Sequence, residues 1–393
     1  MEPYSLGVEE EYQLVDPDTG RLRARAHDVL AMDWTDDLHP EIQETILEVG
    51  TQVCGSAEEL DTALRRLRFQ VATAAASQDL VPVAGGLHPF SRWEEQPPVG
   101  AERYRRLEAR FGRVIRTEHI FGMHVHVALA DGVDRARVMT RVRHFIPHLV
   151  ALSASSPRFE GEDTGYASYR TILAGRLPCS GPPPAFSSDD AYHAFTGALI
   201  KAGTLEDRSM VYWSVRPHHR YPTLELRAAD VCPAVEDAVA LAALARALVA
   251  TAAEGGALDD PHAGRADREA LPADQEALRA DEWQAARHGL DARLMGPDGP
   301  VPVRDAIRRL LDHVAPTAEQ LGDGAALAGV ERILERGNAA ERIRREAAER
   351  GPGTLLVRWL AGETLAGTGL DRPRGIRPWK RSEGRRGVPQ RPS

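Results

Sequence analysis

The sequence predicts an α+β fold built on a mainly antiparallel sheet. Segments with the two-residue alternation of strands and segments with helical spacing follow one another without a regular strand–helix–strand rhythm. No internal repeat at a period of about 20–50 residues appears. No Gly-x-Gly-x-x-Gly follows a predicted strand, so a dinucleotide-binding domain is not expected.

Residues 5–16 alternate well enough to form a strand, closed by a Pro-Asp-Thr-Gly turn. Ser56 and Glu59 make a capping box, and Leu60, Leu64, Leu67, Val71 and Ala74 follow at helical spacing. Residues 80–86 and 119–129 read as strands. Asp134 to about Val150 reads as one helix, strained near its end by Pro147. The Gly/Pro-rich passage 175–187 is expected to be a long loop. Two further strands, 211–217 and 222–230, flank a turn at His218 to Tyr221. Residues 235–253 form a helix so apolar that it must be buried. Glu254 to about Ala280 is polar and acidic and reads as a loop or lid. Amphipathic helices are predicted over roughly 302–320 and 326–350.

Composition narrows the chemistry. Of the 393 residues 42% are hydrophobic and 27% charged, enough for a large core without staples. There are 47 arginines but only two lysines, Lys201 and Lys380, and neither sits in a Gly-Lys-Ser/Thr phosphate loop. Schiff-base and protein-kinase schemes also need a placed lysine. If phosphate is handled, arginines and metal ions must do it. Cys54, Cys179 and Cys232 lack Cys-x-x-Cys spacing and point to a reducing, cytoplasmic setting. The first residues show no basic region followed by an apolar run, so no signal peptide is expected. The longest apolar stretch, Ala238 to Ala253, is interrupted by Arg246 and too short to span a bilayer, so no membrane role is expected.

The net charge of −9 hides a split. Residues 371–393 hold eight basic and two acidic residues in a Pro/Gly-rich run, expected to be a disordered tail. Residues 1–370, expected to form the catalytic domain, keep 41 basic and 56 acidic residues, or −15. That acidic body argues against nucleic acid as the main ligand.

Three predicted strands each present a polar pair on one face, because successive side chains alternate. Glu9 and Glu11 share a face, with Glu10 on the other; His124 and His126 share one, as do Glu225 and Arg227. Glu41 and Glu48, seven residues apart, stack on one face if their segment is helical. Glu48 lies in Ile-Leu-Glu-Val, an apolar neighbourhood for a carboxylate. Clustered buried carboxylates repel and need cations among them. Oxygen-rich ligation with one or two imidazoles suits Mg²⁺ or Mn²⁺ better than Zn²⁺. Arg170, Arg216, Arg227 and Arg287 sit in motif-like sequence and can supply an anion-binding side. Carboxylates for metal and arginines for phosphate are the equipment of phosphoryl transfer without a P-loop.

Ordered motifs then carry a resemblance. Gly-Val-Glu-Glu-Glu-Tyr-Gln-Leu-Val-Asp-Pro (7–17), Leu-Glu-Val-Gly-Thr-Gln-Val-Cys (47–54), Gly-Gly-Leu-His-Pro-Phe (85–90) and Phe-Gly-Met-His-Val-His-Val (121–127) come first. Ala-Leu-Ser-Ala-Ser-Ser-Pro (151–157), Asp-Thr-Gly-Tyr-Ala-Ser-Tyr-Arg (163–170), Tyr-Trp-Ser-Val-Arg-Pro (212–217) and Thr-Leu-Glu-Leu-Arg (223–227) follow. Weaker matches lie at 283–290 and 337–344. Together they resemble the type-2 glutamate–cysteine ligases, or carboxylate–amine ligases, in collinear order over about residues 5–350.

The resemblance implies a glutamine-synthetase-like fold, a curved antiparallel sheet forming a funnel with helices packed outside. It implies ATP-dependent amide formation through an acyl phosphate, from the γ-carboxylate of glutamate and cysteine or another amine. By position it makes Glu9, Glu11, Glu41, Glu48, His124 and Glu225 metal-binding residues. Arg227 would meet the ATP phosphates, Arg170 and Arg216 would face substrate carboxylate or phosphate, and Arg287 is a further nucleotide-binding candidate. The expected cofactors are ATP and Mg²⁺ or Mn²⁺, and the expected partners are a small acid and an amine. The oligomeric state stays open, a homodimer being one option. The family's usual Trp-Asp-Ile-Arg-Pro-Ser reads Trp213-Ser214-Val215-Arg216-Pro217-His218 here, losing an acid. Leu87 replaces a usual Thr, His288 a usual Tyr, and acidic sequence around Asp281 a frequent Asn. His126 is weighed evenly as metal ligand or sheet histidine, and His88 reads as structural. Two other classes remain: a non-catalytic nucleotide-binding descendant of the fold, and a metal hydrolase built on His124 and His126.

Overall fold

The computed structural model describes residues 2–96 apart from 34, 36 and 42, then 102–255, 272–296 and 299–370. Its centre is a seven-stranded sheet of β1 (Leu6–Val15), β2 (Leu38–Pro40), β3 (Ile46–Gly50), β4 (Val81–Val83), β5 (Gly122–Ala128), β6 (Val215–Pro217) and β7 (Thr223–Asp230). The order is β6-β7-β5-β1-β3-β2, with β4 pairing the end of β1, and every pairing is antiparallel. A register shift between Leu226 and Ala229 marks a bulge in β7, which bends the strand.

β1 has the two faces that alternation demands. On one, Glu10 meets Arg68 from α1 (Ala57–Ala76); both side chains are fully buried and the closest contact is 2.5 Å. The Tyr12 hydroxyl donates to the same carboxylate, while Arg68 also donates to the carbonyls of Pro233 and Cys232. Ser56 caps α1 by accepting from Glu59 N, and Glu59 returns the contact to Gly55 N, one residue before the usual position in a capping box.

The apolar segment becomes α4 (Val235–Ala253), buried along nearly its whole length, with alanines that let neighbours approach closely. Arg246, the one charge between Ala238 and Ala253, is matched by Asp323 at 2.8 Å and by the carbonyls of Tyr4 and Gly55. None of the described helices is long and apolar enough to cross a membrane.

Several predicted elements change form. Asp134–Val150 is two helices, Arg135–Val142 and α2 (Ile146–Ser153), joined by a short turn. Pro147 lies in the first turn of α2, where a missing N–H costs nothing, so it starts a helix instead of straining one. The loop 175–187 contains a short strand, Ser180–Gly181, paired with Tyr212–Trp213. Of the predicted lid at 254–280, residues 254–255 end α4, residues 256–271 lie outside the described residues, and 272–280 open α5 (Pro272–His288). Glu41 and Glu48 do not share a helix: residues 43–45 turn into β3, which carries Glu48. The predicted helix 326–350 is broken at Gly337–Asn338, where the Asn338 side chain caps Ala339–Arg350 by accepting from Glu341 N at 3.0 Å. The basic tail lies outside the described residues.

Replacing Arg68 by Met leaves the Glu10 carboxylate buried without its cation. The expected loss is about 3–5 kcal/mol, read from urea unfolding, and pairing Arg68→Met with Glu10→Gln recovers much of it.

Candidate active site

The sheet register builds the site from consecutive cross-strand pairs. Glu9 lies opposite His124 on β5, Glu11 opposite Glu48 on β3, and Glu225 on β7 opposite both His126 and Arg216. Paired residues share a face, so all of these project away from the Glu10–Arg68 side. Glu41 directly follows β2, two residues after His39, which itself pairs with Glu48.

The six predicted metal residues fall into two groups. Glu9, His124 and Glu225 bring one ligand atom each to within 4.8 Å of one another, and Glu11, Glu41 and Glu48 do the same. In the first group His124 Nδ1 lies 3.0 Å from Glu9 Oε2. Burial alone would raise the Glu9 carboxyl, but hydrogen bonds from His124 and His126 hold it well below the usual range. Burial likewise acts against Glu225, and Arg227 and Arg216 override it, so Glu225 stays ionised. Burial and the Arg227 charge push His124 down to about 4.

In the second group the carboxylates act on one another. Burial first, then the charges of Glu41, Glu9 and Glu11, push Glu48 up to about 10. Glu11 rises to about 7 by burial and Glu41, held back by Arg170, the Gly122 N–H and Arg227. A site of buried oxygens that cannot all ionise together is short of positive charge. These donors therefore fit a hard divalent cation.

A cavity of about 140 Å³ opens beside both groups, lined in part by Glu11, His124, Arg170 and Arg227. Arg170 comes from α3 (Tyr169–Ala174), whose N-cap Ser168 hydroxyl donates to the buried Asp230 at 2.7 Å. Asp230 also accepts from Ser155 N and the Ser156 hydroxyl, and Ser156 Oγ accepts from Arg170 N. Two motif glycines follow from this packing. A Cβ on Gly122 would stand 2.2 Å from Arg170 Nη2, and one on Gly86 would stand 2.6 Å from the Asp230 carboxylate. Among the described residues the Arg170 guanidinium makes only long contacts, to the carbonyls of Ala228 and Arg227, and its buried Nε has no partner.

The remaining predicted residues sit elsewhere. Arg216 does not face the cavity: its guanidinium is spent on Glu225 at 2.7 Å and on the carbonyls of Ser209 and Val211. Arg287 stacks on Tyr166, 5.0 Å from the ring centre, and is not among the residues lining the cavity. His126 stands beside the first group, 3.4 Å from Glu9 and 3.2 Å from the Thr223 hydroxyl. Both ring nitrogens of His88 are used by backbone, Nδ1 accepting from Phe90 and Ser91 and Nε2 donating to Gly20 O.

Sequence reasoning passed over Glu118, Tyr212 and Glu282, which also line the cavity. Burial pushes both carboxyls up to about 7. Glu118 is paired with Arg176 at 2.8 Å. Glu282 accepts from Ser214, the position where the family motif carries an acid, at 2.5 Å. No element is predicted over Glu282, and an acid between Asp281 and Trp283 carries no local signal that singles it out.

Comparison with known proteins gives the family and the fold. The family model described as glutamate-cysteine ligase family 2 matches residues 5–358. A Rhodospirillum rubrum protein provisionally named glutamate–cysteine ligase 2 is 36% identical over 386 residues, covering 94% of this chain and 97% of its own. A Ruegeria pomeroyi protein of the same provisional name is 37% identical over 372 residues, 92% of this chain and 94% of its own. Among solved structures, a glutamate–cysteine ligase from Francisella tularensis in complex with AMP superposes with a TM-score of 0.68 at 14% identity, covering 93% of this chain and 90% of that one. That likeness shows the fold, the glutamine-synthetase-like antiparallel sheet with helices packed against it that the motifs imply. The chain belongs to glutamate–cysteine ligase family 2.

Proposed function

We propose that this protein is an ATP-dependent carboxylate–amine ligase. It joins the γ-carboxylate of glutamate to cysteine or another amine through an acyl phosphate, releasing ADP. The observation that carries the reading is the meeting of two metal-type donor groups with Arg170 and Arg227 around one cavity.

Glu9, His124 and Glu225 would hold one divalent cation, and Glu11, Glu41 and Glu48 another, as Mg²⁺ or Mn²⁺. Such ions supply the positive charge that lets a phosphate chain and an attacking carboxylate approach each other. Arg227 takes the transferring phosphoryl group, its guanidinium held by Glu225. Arg170, with an unpartnered nitrogen, binds the acid's carboxylate by a charge-assisted hydrogen bond. Arg216 acts from behind, keeping Glu225 ionised and in place. None of these roles needs a lysine. A hydrolase built on His124 and His126 draws less support, since only His124 joins a ligand group among the described residues.

With ATP, Mg²⁺, glutamate and hydroxylamine the enzyme is expected to release ADP and form a hydroxamate. If no acid in a panel gives either product, the ligase reading fails. Arg227→Ala should lower kcat by about 10²–10³-fold, with the KM for the acid changing far less.

Glu11 and Glu48 give a pH test whose sign is fixed. Their folded-state values are raised to about 7 and about 10, so the metal-free folded protein keeps protons that the unfolded chain has lost. Stability without metal therefore falls as pH rises above about 4.5, continuing through both values. Thermal melts in a chelator should decline from about pH 6 to about pH 9. Saturating Mg²⁺, which displaces those protons, should flatten the decline.

A further inference from the structure

The cavity has a polarity that the phosphoryl-transfer scheme leaves unused. Arg170 and Arg227 line it, and so do the acid Glu282 and its neighbours Ser214 and Tyr212. Glu282 comes from α5 and is only 7% exposed. Its Oε1 accepts from the Ser214 hydroxyl at 2.5 Å, while Oε2 makes no hydrogen bond among the described residues. That second oxygen borders Gly181, 3.6 Å from where a Cβ would stand, and so lies at the cavity wall. Ser214 is itself fixed: its N–H donates to Gly181 O and its carbonyl accepts from Arg227 N, each at 2.8 Å. The free carboxylate oxygen is thus tied through one residue to the strand that carries the phosphate-facing arginine.

We propose that Glu282 receives the amine substrate, binding its ammonium group through Oε2 and taking the proton that must leave before nitrogen can attack. The inference rests on the ligase reading above and names the chemistry of its second substrate, a primary amine arriving as a cation. Arg170 and Arg227 repel such a cation and attract the acid, whereas Glu282 does the reverse, so charge distinguishes the two substrates. Of the other acids at the wall, Glu11 belongs to a metal-type donor group and Glu118 is matched by Arg176, which leaves Glu282 as the free acceptor among the described residues. Burial places Glu282 near neutrality, suited to accepting and releasing a proton at working pH.

The step balances. R–NH₃⁺ gives one proton to the Glu282 carboxylate and becomes R–NH₂. Its lone pair forms the C–N bond at the acyl phosphate carbon, the C–O bond to phosphate breaks, and phosphate leaves with that electron pair. The nitrogen's second proton goes to the departing phosphate, and Glu282 later returns its own to water.

The test compares nucleophiles on the full chain with ATP, Mg²⁺ and glutamate at about pH 7, below the α-amino pKa of about 8. Cysteine and methylamine arrive protonated there, whereas hydroxylamine arrives neutral and needs no base. Glu282→Gln is expected to lose about 100-fold in kcat/KM with the protonated amine that the wild type accepts, while hydroxamate formation stays within about 3-fold, which also shows that the variant folds. Glu282→Asp, which keeps the charge, should recover part of the amine rate. Equal loss with both nucleophiles in a variant that melts like the wild type, or no loss with either, overturns the proposal and leaves the ligase reading intact. If Glu282→Gln does not fold, Glu282→Asp decides: unequal loss supports the proposal and equal loss overturns it. Absence of hydroxamate from the wild type sinks the ligase reading, and this inference with it.

Discussion

Like charge set opposite like charge is the constraint on which the site depends. The β1–β3 register places Glu11 directly across from Glu48, and Glu41 closes on the same point from the end of β2. Carboxylates facing each other across a ladder destabilise it, and burial makes the repulsion worse. The sheet holds them together because the opposite face is anchored. Glu10, between Glu9 and Glu11 in sequence, is locked to Arg68 by one buried ion pair with several further hydrogen bonds. A one-residue slip of β1 would exchange the two faces, burying two unmatched acids and exposing a matched one. Register and chemistry are therefore the same variable here.

The arginines divide their work by what they already touch. Arg68, Arg216 and Arg246 have their donors committed to carboxylates and carbonyls, so they are structural cations. Arg170 keeps a donor in reserve next to the cavity, and Arg227 shares its carboxylate partner with Arg216. An arginine with unspent hydrogen bonds can bind an incoming anion without first breaking its own contacts. That distinction cannot be read from residue type.

Strand alternation made Glu9, Glu11, His124 and Glu225 legible, because parity depends only on local backbone geometry. The family resemblance brought in the fold and the roles that parity could not. Glu41 and Glu48 lie close together, but not on a helix. Seven-residue spacing suggested a helix, whereas a turn and a strand return the chain so that both meet Glu11. Pro147 was read as strain because its helix was drawn through Arg143–Phe145, where the chain turns and starts again. Arg216 and Arg287 look alike in sequence to Arg170, and only tertiary contacts show that one braces Glu225 and the other stacks on Tyr166. Glu282 was missed because its partner, Ser214, lies 68 residues away.

The scarcity of lysine has a consequence for how the molecule ages and responds to base. The contacts that tie separate elements together, Arg68–Glu10, Arg143–Asp274, Arg246–Asp323 and Arg342–Glu363, all use guanidinium groups. A guanidinium keeps its charge through the whole alkaline range and reacts poorly with the acylating metabolites that modify lysine amines. The framework is thus chemically quiet where an ammonium-based one would lose charge or be capped.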